Sequence, residues 1–351
     1  MGKILILGAG TMGTALTVPL CQNRWEVNLW GTEFDVGILE VMAKTGQHIQ
    51  LGIALPRGVT LFPFAELERA CQDVEIVVLA VASAGIRSVM QRLAAFLREG
   101  MIIVNVAKGL EEDPETGKPQ TMLDVIDNEF LEVLHNKIPM VAVGGPSIAK
   151  EVAECVPTEV VFASKDLAAA RYCRRVFVTP VYKVKITIDV IGVELCAALK
   201  NAFAVVVGMC DGVKGRMNAR VEMHNTKATL LWEAVVELAK IVQAMGGREE
   251  TILGPAGVGD SYVTAIGGRT RLFGEMLGSG MSPGEALEEM RKRHLTVEAY
   301  PAAEQGYKLA QVLDKDGRLN INDLPLLKQI HAVLFEGKAA EAAIWDYFAA
   351  L

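Results

Sequence analysis

A lysine inside an apolar helix is the most chemically pointed feature of this chain. Lys200 and Asn201 fall in GVELCAALKNAFAVVVGM, Gly192–Met209, whose apolar residues run round almost the whole circumference. Such a helix belongs at the centre of a domain. Burial disfavours the charged ammonium, so Lys200 either holds its proton loosely or requires a carboxylate partner, and both conditions suit proton transfer near neutral pH. Glu194, on the same helix, joins this constellation. The alternative is a lysine whose stem is buried while its head reaches the surface.

A second segment supplies the missing carboxylate. It reads Gly259-Asp260-Ser261-Tyr262-Val263-Thr264, then Gly267-Gly268-Arg269-Thr270-Arg271. Asp260 is expected to cap a short helix, with Thr264 one turn later on the same face. The glycine pair ends that helix and brings Arg269 back. The segment thus offers a partner for Lys200, and a hydroxyl and a guanidinium suited to a phosphate.

The third motif is Gly8-Ala9-Gly10-Thr11-Met12-Gly13, between a β-branched run and a helical pattern. A dinucleotide-binding turn requires glycine at 8 for the tight turn, at 10 for close approach of a pyrophosphate, and at 13 for helix–strand packing. The helix N-terminus would then face the phosphates. Cofactor choice is set where the second strand ends, in Leu29-Trp30-Gly31-Thr32-Glu33-Phe34-Asp35. No basic residue stands there to accept a 2′-phosphate, and two acids could repel one, so NAD is favoured over NADP, with Trp30 at the strand end. Lys108, in Val104-Asn105-Val106-Ala107-Lys108-Gly109, follows a strand end where it could meet cofactor or substrate, or simply be solvated. Gly144-Gly145-Pro146-Ser147 also follows a strand, with Ser147 a candidate N-cap.

The elements that must position these residues alternate through the first half. Strands are expected at Lys3-Leu7, Glu26-Trp30, Ile76-Val81, Met101-Asn105, Met140-Val143 and Glu159-Ala163, each nearly continuous in hydrophobicity, as in a parallel sheet covered on both faces. Helices are expected at 11–23, 34–44, 84–98 and 119–134. After Val184-Thr187 the pattern turns helical, with Gly or Pro at the breaks, and Ala339-Ala349 reads as a last helix. The expected architecture is a doubly wound, mostly parallel α/β Rossmann-type domain over 1–187, followed by an all-α domain over 188–351.

Composition agrees with an ordered two-domain protein. The chain has 351 residues, 51% hydrophobic and 22% charged, and its 33 Gly and 13 Pro carry none of the bias of collagen-like or disordered classes. A net charge of −7 gives no basic surplus for nucleic acid, though an anionic small molecule needs only local cations. The six cysteines form no CxxC pair and no metal-ligand spacing, so no metal is expected. No apolar run free of charges and turns reaches membrane-spanning length, and the N-terminus reads as a first strand, so the expectation is a cytoplasmic protein away from membranes.

Taken together, Gly8-x-Gly10-x-x-Gly13, Lys108-Gly109, Gly145-Pro146-Ser147-x-Ala149-Lys150-Glu151, Gly192-Val193-Glu194 through Ala198-Leu199-Lys200-Asn201, and Gly257-x-Gly259-Asp260 through Thr264 resemble the NAD(P)-dependent glycerol-3-phosphate dehydrogenases. The resemblance covers most of the chain. It implies reversible reduction of dihydroxyacetone phosphate by NADH to sn-glycerol 3-phosphate, by a homodimer paired through its helical domain. It makes Lys200 the proton donor or acceptor, kept oriented by Asp260, with Lys108 polarising the same carbonyl. Ser147, Asn201, Thr264, Arg269 and Thr270 would join Lys108 in binding substrate. The glycine motif with Thr11 and Met12, together with Trp30, Lys108, Ala149, Arg269 and Glu298, would bind the cofactor.

Four places depart from the family pattern. Thr270 stands where an Asn usually follows the phosphate-binding Arg, Glu233-Ala234 where bacterial members carry Arg-Gly, and Ala299 where a Gly follows the acid; the connection 213–224 is also long. These departures keep open a dehydrogenase of the same architecture acting on another small ketose or polyol phosphate, or a silent NAD(H)-binding regulator.

Overall fold

The computed structural model describes residues 2–216 and 221–350, which divide into two compact units. One joins Met1–Lys108 to Thr121–Glu194, the other Gly109–Gln120 to Leu195–Leu351. This differs from a division at 187/188 in two respects. The first seven residues after 187 stay with the sheet, and the hairpin of Leu110–Glu112 with Pro119–Thr121 contributes residues 110–120 to the helical unit. There Glu112 pairs with Lys308 at 2.7 Å.

The first unit is built on an eight-stranded sheet. Its strands are β1 Lys3–Leu7, β2 Glu26–Trp30, β3 Val59–Phe62, β4 Val74–Leu79, β5 Ile102–Asn105, β6 Met140–Gly144, β7 Thr158–Ala163 and β8 Tyr182–Thr187. They lie in the order β8-β7-β6-β5-β4-β1-β2-β3. All neighbours are parallel except β6 and β7, which pair antiparallel from Ala142↔Ala163 to Gly144↔Val161. Ile4 to Leu7 and Ile76 to Leu79 are fully buried, which is why they read as continuous apolar runs. The chain leaves β1 for β2 on one side and returns through β4 on the other, so the loops above β1 and β4 form the switch point where open α/β sheets bind ligands.

Two expectations are corrected here. The strand expected at 76–81 ends at Leu79, and Ala80 and Val81 turn out of the sheet over the glycine loop. The single helix expected over 119–134 is three pieces. Pro119–Thr121 is a strand, and a capping box of Thr121 and Asp124 starts the helix Met122–Asn128. A 3-10 turn, Glu132–Leu134, follows.

The second unit is helical apart from its hairpin residues. The Val190–Arg216 helix is long and apolar enough to cross a membrane, a length that the interrupted-run reading of the sequence had not given it, and 94% of that apolar window is buried in the protein. Glycines seat the Gly268–Gly278 helix directly on it. A Cβ on Gly208 would stand 2.1 Å from the Arg271 carbonyl oxygen, and one on Gly212 2.1 Å from that of Glu275. In return, a Cβ on Gly274 would stand 2.2 Å from the Val205 oxygen, and one on Gly278 2.1 Å from that of Met209. Two pairs of glycines spaced four apart thus let the backbones touch. Glu237, on the His224–Ala244 helix, accepts from Leu326 N and Leu327 N at 2.5 and 2.8 Å and so caps the Pro325–Phe335 helix. Within the long connection 213–224, residues 217–220 lie outside the described residues.

Candidate active site

In the first unit the glycine motif takes up the geometry its spacing requires. Gly8 has φ +111, a left-handed conformation open to glycine, and a Cβ there would meet the Ala80 oxygen at 2.8 Å. Its N–H donates to the Trp30 carbonyl at 2.9 Å, tying the loop to the end of β2. Gly10 caps the Thr11–Gln22 helix without a side-chain bond, and nothing lies within 4 Å of where its Cβ would be. A Cβ on Gly13 would stand 2.0 Å from the Gly8 oxygen, the close packing of helix on loop that only glycine permits. A loop that leaves a bare backbone at Gly10, with no acid in the helix's first turn, fits the pyrophosphate of a dinucleotide. The N–H groups of Thr11 and Met12 belong to that first turn.

Three residues brace this loop. Asp35 Oδ2 accepts from Ala9 N at 3.3 Å and from Thr32 N and Oγ1 at 2.8 Å each. The Thr14 hydroxyl donates to the Ala9 carbonyl at 3.2 Å. His48, fully buried, accepts from Leu51 N on Nδ1 at 3.3 Å, and its Nε2 completes no hydrogen bond although the ring faces Ala9. Burial lowers the imidazole pKa, and the Ala9 backbone and Asp35 work against that shift. Trp30, expected among the cofactor-binding residues, has its indole fully buried and donating to the Phe64 carbonyl at 3.1 Å. It meets the loop through its backbone alone.

Beside β5 and β6, Lys108 Nζ and Ser147 Oγ each donate to the Gly145 carbonyl at 3.4 Å. Asn105 sets up the turn that presents Lys108 by bonding both N and O of Ala107, at 3.1 and 3.0 Å. Ser147 is not an N-cap. The cap of the Ala149–Ala153 helix is Ile148, and Ala149 is its first residue. Glu194 also stays in this unit, where it accepts from Leu123 N at 2.9 Å and burial pushes its carboxyl up to about 8. It does not join Lys200.

In the second unit seven of the expected residues fall into two bonded sets that adjoin where Lys200 and Asn201 follow one another in the Val190–Arg216 helix. Lys200 Nζ bonds Asp260 Oδ1, with both side chains buried. A wide helical turn over Pro255–Gly259 delivers Asp260 as the first residue of the Asp260–Ile266 helix, whose N-cap is Gly259 and not Asp260 as expected. Asn201 donates to Glu298 Oε2 at 3.0 Å and accepts from Thr270 Oγ1 at 3.1 Å. Arg269 donates to Glu298 Oε1 at 2.9 Å and to the Thr296 hydroxyl. The Thr264 hydroxyl, expected to be open, donates to the Asp260 carbonyl one turn back at 2.7 Å. A buried ammonium–carboxylate pair beside a guanidinium, an amide and a hydroxyl can move a proton and hold an anionic group. No cluster of His, Cys, Asp and Glu able to hold a metal occurs among the described residues.

Sequence reasoning passed over His48 and Thr14, and read Asp35 only as a charge. His48 lies in a two-residue strand that no periodicity marks.

Comparison with known proteins agrees with both units. Residues 3–170 match the family model for the N-terminus of NAD-dependent glycerol-3-phosphate dehydrogenase, and residues 189–345 match that for its C-terminus. The NADP(+)-dependent glycerol-3-phosphate dehydrogenase of Archaeoglobus fulgidus is 36% identical over 98% of each chain. The glycerol-3-phosphate dehydrogenase [NAD(P)+] of Fusobacterium nucleatum is 35% identical over 98% of this chain and 96% of its own. The crystal structure of the Coxiella burnetii glycerol-3-phosphate dehydrogenase superposes with a TM-score of 0.84 at 27% identity, covering 99% of this chain and 98% of that one. With a glycine loop for a dinucleotide and a buried Lys200–Asp260 pair in hand, the chain belongs to the NAD-dependent glycerol-3-phosphate dehydrogenase family.

Proposed function

We propose that this enzyme interconverts dihydroxyacetone phosphate and sn-glycerol 3-phosphate, with NAD as the preferred dinucleotide. The observation that carries the reading is the buried Lys200–Asp260 pair, with Asn201, the next residue of the helix, bonded to Thr270 and through Glu298 to Arg269. The nicotinamide, when bound, supplies or receives the hydride at C2. Reduction then needs one proton at the C2 oxygen. Lys200 gives that proton, and in the reverse direction takes it back. Asp260 holds the ammonium in place, and the family resemblance makes Lys108 the group that polarises the carbonyl. Asn201 and Arg269 grip the phosphate, with the Thr270 hydroxyl fixing the Asn201 amide, so that binding energy from a non-reacting group orients the reacting carbon.

Asp35 supports the preference for NAD. Its carboxylate is fixed on Ala9 N and Thr32, where it disfavours a second anion near the loop. The test is kcat/KM with NADH against NADPH, with NADH expected to be the better. The Archaeoglobus relative, NADP(+)-dependent by name, makes this a comparison worth making first. We also propose a cytoplasmic location, in which the six cysteines stay reduced. We further propose a homodimer through the helical unit, to be measured by sedimentation.

Thr270 favours a second reading, a dehydrogenase for another small ketose phosphate. A Thr offers one hydroxyl donor where an Asn offers two N–H donors, and here that donor is spent on Asn201. Loss of NADH absorbance with dihydroxyacetone phosphate, glyceraldehyde 3-phosphate, erythrulose phosphate and unphosphorylated dihydroxyacetone separates the two. Fast turnover on the first alone supports the leading reading, and turnover only on another phosphate supports the second.

A further inference from the structure

The anion-binding cluster of the helical unit already holds an anion. The two carboxylate oxygens of Glu298 are taken one each by Asn201 Nδ2, at 3.0 Å, and by Arg269 Nη2, at 2.9 Å. These are donors that the proposed function assigns to the substrate's phosphate. Asn201 is buried, and the Thr270 hydroxyl fixes its amide by donating to its Oδ1, so its NH2 can point only towards the acceptor side. Glu298 itself is 41% exposed and Arg269 47%, which leaves the carboxylate at the solvent-facing edge of the cluster with room to withdraw.

We propose that Glu298 is a resident carboxylate in the phosphate site, a specificity-determining residue that the substrate's phosphate must displace from Asn201 and Arg269 in order to bind. The inference rests on the phosphate role proposed for these two residues. Guanidinium and amide donors accept carboxylate and phosphate alike, so an internal carboxylate satisfies them in the absence of ligand. It also sets a threshold. A phosphate ester, with its greater charge and third oxygen, can outbid a single carboxylate, whereas a substrate carrying a carboxylate or only hydroxyls cannot. Displacement leaves Glu298 near a dianion of the same sign, so the exchange costs affinity for the intended ligand and gains discrimination against weaker anions.

The test is calorimetric titration of sn-glycerol 3-phosphate into the full chain, without dinucleotide, for the wild type, Glu298→Gln and Glu298→Ala. Thermal denaturation of each checks folding. Glu298→Gln keeps the shape and removes the charge, Glu298→Ala removes both, and each is expected to bind glycerol 3-phosphate about three- to tenfold more tightly than the wild type, with a parallel gain for inorganic phosphate. Equal or weaker binding by both folded variants, or no binding by any of the three proteins, overturns the proposal. Failure of the proposed activity is a separate result, since it is read as loss of NADH oxidation by the wild type.

Discussion

Gly208→Ala tests whether the glycine contact between two helices builds the phosphate site. The new methyl would stand 2.1 Å from the Arg271 carbonyl oxygen and 3.0 Å from Glu275 N. Carbon and oxygen sit comfortably at roughly 3.3 Å, so the Gly268–Gly278 helix must retreat by about 1 Å. Its neighbour on the same ridge, Gly212, is equally tight, with a Cβ position 2.1 Å from the Glu275 oxygen, so a local twist cannot absorb the shift. Overpacking of this kind costs about 1–3 kcal/mol, and backbone against backbone belongs at the upper end. The retreating helix carries Arg269 and Thr270 at its start. The Thr270–Asn201 bond, 3.1 Å long, would open beyond hydrogen-bond range. The variant is therefore expected to be less stable by about 2–3 kcal/mol in urea denaturation and to have a KM for the phosphorylated substrate raised at least about tenfold. Gly215→Ala, on the same helix with nothing within 4 Å of its Cβ position, serves as the control and should stabilise by up to about 1 kcal/mol. Wild-type stability and KM in Gly208→Ala would refute the reasoning.

Two further predictions concern groups outside that contact. Glu237 holds its proton up to about pH 8 in the folded protein because burial disfavours its charge, whereas its ordinary value is 4.5. Between those values the folded state binds the extra proton, so this contribution to stability is complete below about pH 4.5 and is lost as the pH rises through about 8. Glu237→Gln should flatten the fall in melting temperature between about pH 6 and pH 9, and an unchanged slope would show that Glu237 does not control it. His48→Leu should weaken NADH binding about fivefold, roughly 1 kcal/mol, through loss of the imidazole that backs Ala9. Fluorescence titration measures it, and unaltered affinity would remove His48 from the set of loop braces.

Much of the first unit could be read from its residues because burial on both faces leaves uninterrupted apolar runs at β1, β4, β5 and β7. The glycines at 8, 10 and 13 likewise announce their roles through spacing alone. β3 was missed because Val59–Phe62 is a half-exposed edge strand of four residues, too short and too mixed to stand out. The second strand of the hairpin, Pro119–Thr121, falls inside the expected helix 119–134 because it runs straight into a capping box. In the helical unit, Lys200 and Asp260 were recognisable as a buried charge and its partner, yet the pairing itself spans 60 residues. The Glu298 bond to Asn201 spans 97 and has no local signature at all. Glycines 208, 212, 274 and 278 carry no signature in the sequence, and only the facing backbone shows why they are there.

The central claim is that Lys200 carries the proton, and Lys200→Met tests it most directly. Methionine keeps the length and apolar stem of the side chain and removes the ammonium. With dihydroxyacetone phosphate and saturating NADH, turnover should fall at least about a hundredfold while fluorescence titration shows NADH still bound. Near-normal turnover in a folded Lys200→Met protein would contradict the assignment and move the proton donor elsewhere in the site.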